Sequence, residues 1–387
     1  AELGVVTANG MTIGGAQCGS QTVAGVTAAN SNGISGVLTL LASRDDATVT
    51  FSGSGSTFNA LTASADKGVV ISVDATTDTG AMHLEGDSDN ADTSLDTVGI
   101  TDGRTLTAET VMTLESTTKG IVPAGKLTLA AKTGVYITDD MTGEANGKAL
   151  VINADSDATG SSGTLTVAST KTVTSNKSDV TITAWDVDLA GSLSAGTQAI
   201  TIHGAEASQS IGLGVTSTNM DISDGELGRM TAEGGVTLGS ASSGSIVVDG
   251  VTDGNSDTVG TLTLVATKAA ATVSFVTAAS VFDKGIVVQA MGGVALSNSV
   301  TTQLAETVVY AGTGALTVKS TFSLDTTNQL LTITADAIDL SGTAVSSGTS
   351  AIVLNCVSAG RSVGLGSGAG DMSVSGAELG VVNANGM

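Results

Sequence analysis

The sequence predicts an all-β fold, a parallel β-helix (β-solenoid) made of tandem repeats, on three observations. Residues 377–387 repeat residues 1–11 with one change, Thr7 to Asn383, so the 387-residue chain returns to its own opening after the 376 positions from Ala1 to Ala377. Short apolar–Thr–apolar triplets behind a turn residue recur along its whole length. The composition is 41% hydrophobic yet holds only one Trp, two Tyr and five Phe, so the interior must be narrow and aliphatic. Self-closure of this kind is expected of a segment of a longer tandem array, and internal repetition sets the frame for every other reading.

The triplets supply the strands. Gly36-Val-Leu-Thr-Leu40, Gly125-Lys-Leu-Thr-Leu129, Gly163-Thr-Leu-Thr-Val167, Gly260-Thr-Leu-Thr-Leu264 and Gly314-Ala-Leu-Thr-Val318 share one pattern. Alternation with period two places Leu, Val and Ile on one face and Thr or Ser on the other. The punctuation is Gly, Asn and Asp, which accept left-handed turn geometry. No segment sustains a capped helical stripe. The single Pro among 387 residues fits a fold in which interior strands donate to a ladder.

A looser period lies inside the large one. Glu2-Leu-Gly4 returns as Glu226-Leu-Gly228 and as Glu378-Leu-Gly380. Ser210-Ile-Gly-Leu-Gly214, followed by Met220, maps onto Ser362-Val-Gly-Leu-Gly366 and Met372. Leu38-Thr-Leu40, Val49-Thr-Phe51 and Phe58 map onto Leu262-Thr-Leu264, Val273-Ser-Phe275 and Phe282. These matches divide the chain into a first unit, 1–224, a shorter second unit, 225–376, and the start of a further repeat at 377–387. The first unit carries roughly 70 extra residues, within about 59–179, expected to form extra coils because each coil of a solenoid contacts only its neighbours.

A string of β-sandwich domains is the alternative. Sandwich cores are usually plugged with aromatics, and Trp185 with two tyrosines is too few for several domains. No linker-like break in composition appears either. At about 20–25 residues per coil and about 4.8 Å between stacked strands, one period makes roughly 15–19 coils and about 70–90 Å of rod.

Charge narrows the function classes. There are 37 acidic and 14 basic residues, a formal net of −23. Nucleic acid or an anionic membrane would call for a basic footprint, so neither is an expected partner. No apolar run reaches the roughly 18–20 residues of a membrane span, so no membrane insertion is expected. Cys18 and Cys356 form no disulfide framework. Cys356, in an apolar run, reads as a buried free thiol; the next copy of Cys18 in an array would follow it by 38 residues, a minor route to a bridge across the repeat junction.

The Gly-x-Leu-Thr-Leu units with intervening Ala, Ser and Asn resemble the repeats of filamentous-haemagglutinin-type adhesins and related giant surface proteins. The resemblance covers essentially the whole chain and rests on pattern and composition, with coil lengths less regular here. It implies a right-handed parallel β-helix acting as an extracellular stalk or fibre, without catalytic residues. The chain also resembles shaft proteins of surface filaments or flagellar hairs.

Candidate sites are few. Glu85-Gly-Asp87-Ser-Asp89-Asn-Ala-Asp92 spaces oxygen ligands as hard-cation loops do, making Asp87, Asp89 and Asp92 the candidate ligands for a weakly bound Ca²⁺. The plainer reading is a solvated turn in which Asp and Asn cap their own backbone. Asp155-Ser-Asp157 and Asp253-Gly-Asn-Ser-Asp257 are thinner versions. His83 and His203 lie 120 residues apart, no GxSxG, HExxH, P-loop or CxxC pattern occurs, and Gly212-Leu-Gly214 lacks the following helix of a nucleotide loop, so no enzyme is expected. Asn176-Lys-Ser178 is an N-glycosylation sequon, and outward Ser and Thr offer O-glycosylation. Trp185 reads as a packing plug or corner residue.

The expected function is mechanical: a repeat unit of a long filament, stalk or adhesin shaft, extracellular or at the cell surface, whose partner is itself, end to end or in tandem. The alternative is a glycan- or cell-binding adhesin with recognition loops near residues 85–103, whose partners would be surface glycans.

Overall fold

A computed structural model describes residues 2–92 and 95–385. The chain divides into two compact units, 1–198 and 199–387. The sequence repeats part at 224/225, inside the second unit. A recurring motif marks repeat phase, whereas compactness follows the density of packing, and the two need not coincide. Residues 386–387 of the third repeat's opening fall outside the described residues.

In the first unit, three short strands and three bends make a coil. Val37–Ala42 is followed by Val49–Phe51 and Ser56–Phe58 before Ala60–Ala65 opens the next turn. Coils stack in parallel: Leu38 faces Leu61, Leu61 faces Met82, Met82 faces Met112, and Met112 faces Val135. The series continues through Leu165 to Val187. All of these side chains are buried, and each apolar residue removed from water contributes roughly 1.5–3 kcal/mol. The intervening Thr39, Thr62, His83, Thr113 and Tyr136 form a matching outward ladder, as the period-two pattern requires.

The pairings within each unit run parallel among the described residues, which sets aside a string of antiparallel β-sandwiches. Along the Leu38–Val187 ladder, spacing between coils runs from 21 residues (Leu61 to Met82) to 30 (Met82 to Met112), longer than the expected 20–25 where a bend is enlarged. The described strands within 59–179 stack in parallel like those before them.

Bends interrupt the backbone ladder, and carboxylates replace it there. Asp66 accepts from Asp46 N (2.8 Å), Asp139 from Ser116 N (2.9 Å) and Asp102 from Lys126 N (2.7 Å), each across neighbouring coils. The acidic excess is thus partly structural, because carboxylate oxygens accept from backbone N–H groups that the ladder leaves without a carbonyl. Phe51 and Phe58 close one corner edge to face, ring centres 6.5 Å apart. Trp185 sits half-buried at the bend between Val180–Ala184 and Asp186–Leu189, the corner position expected of it.

The second unit repeats the plan. Val236–Ser240, Leu262–Ala266 and Ile286–Ala290 stack on one face, with Leu238, Leu264 and Val288 in register and buried. Ser280–Phe282, Val300–Thr302, Ser323–Asp325 and Ala344–Ser346 build another.

Candidate functional site

The acidic loop does not gather its carboxylates. Asp87 is buried and accepts from Thr118 N at 2.9 Å. Asp89 accepts from Ala91 N two residues on, and Asp92 pairs with Lys119 at 2.6 Å. Among the described residues no group of three or more His, Cys, Asp or Glu side chains is placed to hold a metal ion. Calcium-like spacing is present in the sequence, but the chain turns Asp87 inward and Asp92 sideways to separate partners. The expected recognition stretch at 85–103 includes Thr93 and Ser94, which lie outside the described residues.

The other sequence candidates also have local partners. Asn176, half-buried with φ 54°, donates its side-chain amide to Glu144 O at 2.9 Å, and the sequon's Ser178 is buried. His83 stands on an open sheet face with Nε2 3.1 Å from Glu115 Oε2. Glu115 faces Glu85 in register, and Ser64 Oγ donates to Glu85 at 2.6 Å. These side chains lie on a flat outward ladder, and the cavity described below is not lined by them. Cys18 is exposed and Cys356 half-buried, so Cys356 is not the buried thiol its apolar run suggests. A shallow depression of about 390 Å³ lies over Gly99, between Val70 and Val122 on the adjoining coils.

The most distinctive local structure lies in the Gly-Leu-Gly and Glu-Leu-Gly motifs. Ile211–Gly214 turns through five residues and returns as Met220–Ile222, paired parallel to itself with Ile211 facing Met220. Parallel neighbours usually need a crossover of a dozen or more residues. Here side chains close the short loop. Asn219 Oδ1 accepts from Ser210 N (3.1 Å) and Ser210 Oγ (2.8 Å), and Asp221 accepts from Thr218 N (3.0 Å). A Cβ at Gly212 would sit 1.9 Å from Thr216 Oγ1 and 2.4 Å from Asp221 Oδ1, so a larger residue there would push apart the side chains that close the loop.

The second copy has the same construction. Val363–Leu365 pairs with Met372–Val374, and Asp371 holds Ser362 as Asn219 holds Ser210. A short helical turn follows each loop, Asp224–Leu227 and Gly376–Gly380. Both are closed by capping boxes, Ser223 with Glu226 and Ser375 with Glu378. The Ser-x-x-Glu spacing that announces them is visible in the sequence; the absence of any longer helical stripe obscured it.

Downstream of this motif the two copies differ in what covers them. Ile211–Gly214 is also paired with Ile246–Asp249, and Ile211 and Leu213 are fully buried. Their counterparts Val363 and Leu365 are 51% and 62% exposed. At the other end of the repeat, a cavity of about 420 Å³ opens among Leu3, Ile13, Val23, Leu38, Leu40 and Phe58, the lumen of the first coil. The arrangement offers edge hydrogen bonds and apolar area. No protein-family model, curated protein or solved structure matches this chain.

Proposed function

We propose that the chain is the structural repeat unit of a long extracellular filament, stalk or adhesin shaft, built by continuous stacking of β-coils. The observation that supports this most is the pair of apolar coil ends: an open lumen beside Ile13 and Leu38, and uncovered Val363 and Leu365 in a motif whose internal copy is buried. Exposed apolar ends are an interaction surface in a soluble protein. Aliphatic ladders exclude water within each coil stack, and the −23 charge opposes sideways aggregation. Mechanical stiffness, rather than turnover, is the property this construction favours.

Electron microscopy of the purified chain and of the native assembly tests the reading. Smooth filaments with a fibre-diffraction spacing near about 4.8 Å along the axis are expected. Beaded strings, or isolated particles at every concentration and in the native assembly, would overturn it. A glycan-binding role has one observation in its favour, the depression over Gly99 within the 85–103 stretch. Carbohydrate-array binding that is lost when Gly99 is replaced by Val would support that second role.

A further inference from the structure

Residues 2–9 and their copy 378–385 use opposite edges of the same strand. In the first copy Ala8 donates N–H to Gly33 O and accepts from Ser35 N, both at 2.9 Å, bridging to Ile34. In the last copy Asn383 accepts from Ser347 N and Asn385 donates to Ser350 O, both at 2.9 Å, while Val382 faces Val345. Successive residues of an extended strand address opposite edges. The bonds made by Ala8 and those made by Asn383 and Asn385 are therefore compatible in one strand. Ala384, the counterpart of Ala8, faces the other edge, to which no strand is paired in the last copy among the described residues.

The second unit contains the completed arrangement. Ala232 bridges to Val259, donating to Thr258 O and accepting from Gly260 N, which repeats the Ala8–Ile34 bridge. Around it, Ile200, Thr201 and Ile202 face Val236, Thr237 and Leu238, while Ile211 and Leu213 face Ile246 and Val248. Ile200 and Ile211 correspond to Ile352 and Val363. Val236 corresponds to Met11 within Gly10-Met-Thr-Ile-Gly14 and Gly235-Val-Thr-Leu-Gly239, and Ile246 to Gln21 within Gly19-Ser-Gln-Thr-Val23 and Gly244-Ser-Ile-Val-Val248.

We infer a head-to-tail joint of defined register, in which the coil at 345–385 of one copy is covered by residues 10–38 of a second copy of this chain, with 378–385 taking the place of the second copy's 2–9. The inference rests on the stacking function proposed above and specifies its contact. Ile352 faces Met11, Val353 faces Thr12 and Leu354 faces Ile13. Val363 faces Gln21 and Leu365 faces Val23, while Ala384 takes the bonds to the second copy's 33–35 turn that Ala8 makes in the first. The joint covers Val363 and Leu365 and closes the lumen beside Ile13. The occupant is a second copy because diverged counterparts of these same segments already perform this closure at residues 200–260.

Thr12 and Val353 both point outward from their strands and are exposed, which makes them a reporter pair. In the full chain carrying Cys18→Ser and Cys356→Ser, Thr12→Cys with Val353→Cys places two thiols on facing strands about 4.8 Å apart, inside the roughly 4.4–6.8 Å disulfide range. The control pairs Thr12→Cys with Thr332→Cys, which faces Val353 from one coil deeper and would be about 9.6 Å away, outside that range. Oxidation is read on non-reducing gels at rising concentration, and within a single polypeptide of two successive periods.

A ladder of linked copies, or an internal link in the two-period chain, with peptides 12 and 353 joined and the control at least tenfold weaker, is expected. Equal linking by both pairs, or none by either in both formats, would overturn the register. Filaments seen by microscopy without the 12–353 link would reject the joint and leave the stacking function standing. A 12–353 link without filaments would keep the joint and remove the filament reading.

Discussion

Asp371 holds Ser362 by two bonds, accepting from its backbone N–H at 3.0 Å and its hydroxyl at 2.8 Å, across a loop whose internal copy uses Asn219 and Ser210 for the same purpose. The two copies therefore offer a charged and a neutral version of one clasp. The bond from Ser362 N–H, with the hydroxyl bond next, holds the Asp371 carboxyl below the ordinary carboxylate range.

A depressed folded pKa contributes stability that is present above the unfolded value of about 3.9 and is lost as pH falls through the folded value. Acidification below about pH 4 is accordingly expected to loosen residues 362–374 before the Asn219 loop. Asp371→Asn should retain the loop at neutral pH and remove that acid sensitivity. Hydrogen exchange of the two loops at pH 3 and pH 7 measures both effects; equal acid response in the two loops would contradict the assignment.

Asp66 predicts the opposite sign. Burial is the main cause that raises its pKa, with Asp89 and Asp45 adding to it against the bond from Asp46 N. Its ionised form therefore disfavours the folded state above the folded pKa, and the penalty shrinks as pH falls below that value and is gone below the unfolded value of about 3.9. Asp66→Asn keeps an acceptor for Asp46 N and is expected to raise the neutral-pH melting temperature, with the gain shrinking on acidification. A lower melting temperature at neutral pH would count against this account.

Gly364 separates packing from propensity. A Cβ there would lie 2.3 Å from Gly368 O, within the loop that folds over it. Gly364→Ala is expected to destabilise this segment by about 1–3 kcal/mol, the usual cost of overpacking. Gly376, with nothing near its missing Cβ, is the matched control. Similar losses at both sites in denaturant titrations would remove the close-packing explanation.

The ladders predict a strong inside–outside contrast. Leu84 and Leu114 are fully buried and adjacent in register, whereas Thr113 points outward. Leu84→Ala should cost about 2–5 kcal/mol, and Thr113→Ala within about 0.5 kcal/mol. Comparable shifts in urea midpoint would mean that the faces are wrongly assigned.

Separate engagement of Asp87, Asp89 and Asp92 predicts indifference to calcium. Melting temperatures with millimolar Ca²⁺ and with chelator should coincide. A rise with Ca²⁺ that Asp92→Asn abolishes would restore the cation loop.

The sequence by itself determined the coil. Leu38-Thr-Leu40 and its relatives state which side chains face inward, the recurrence of Glu-Leu-Gly states the period, and the poverty of aromatics states how narrow the interior is. These are local or repetitive properties, readable wherever they occur. Tertiary structure decided what depends on the neighbouring coil: that Leu61 meets Met82 after 21 residues while Met82 meets Met112 after 30, that Asp87 turns toward Thr118 while Asp92 reaches Lys119, and that Cys356 is half-buried. It also decided that Ile211 and Met220 pair across a five-residue loop. A strand's partner in a solenoid lies one coil away, at a distance set by bend length, and bends carry no periodic signal from which that length can be read.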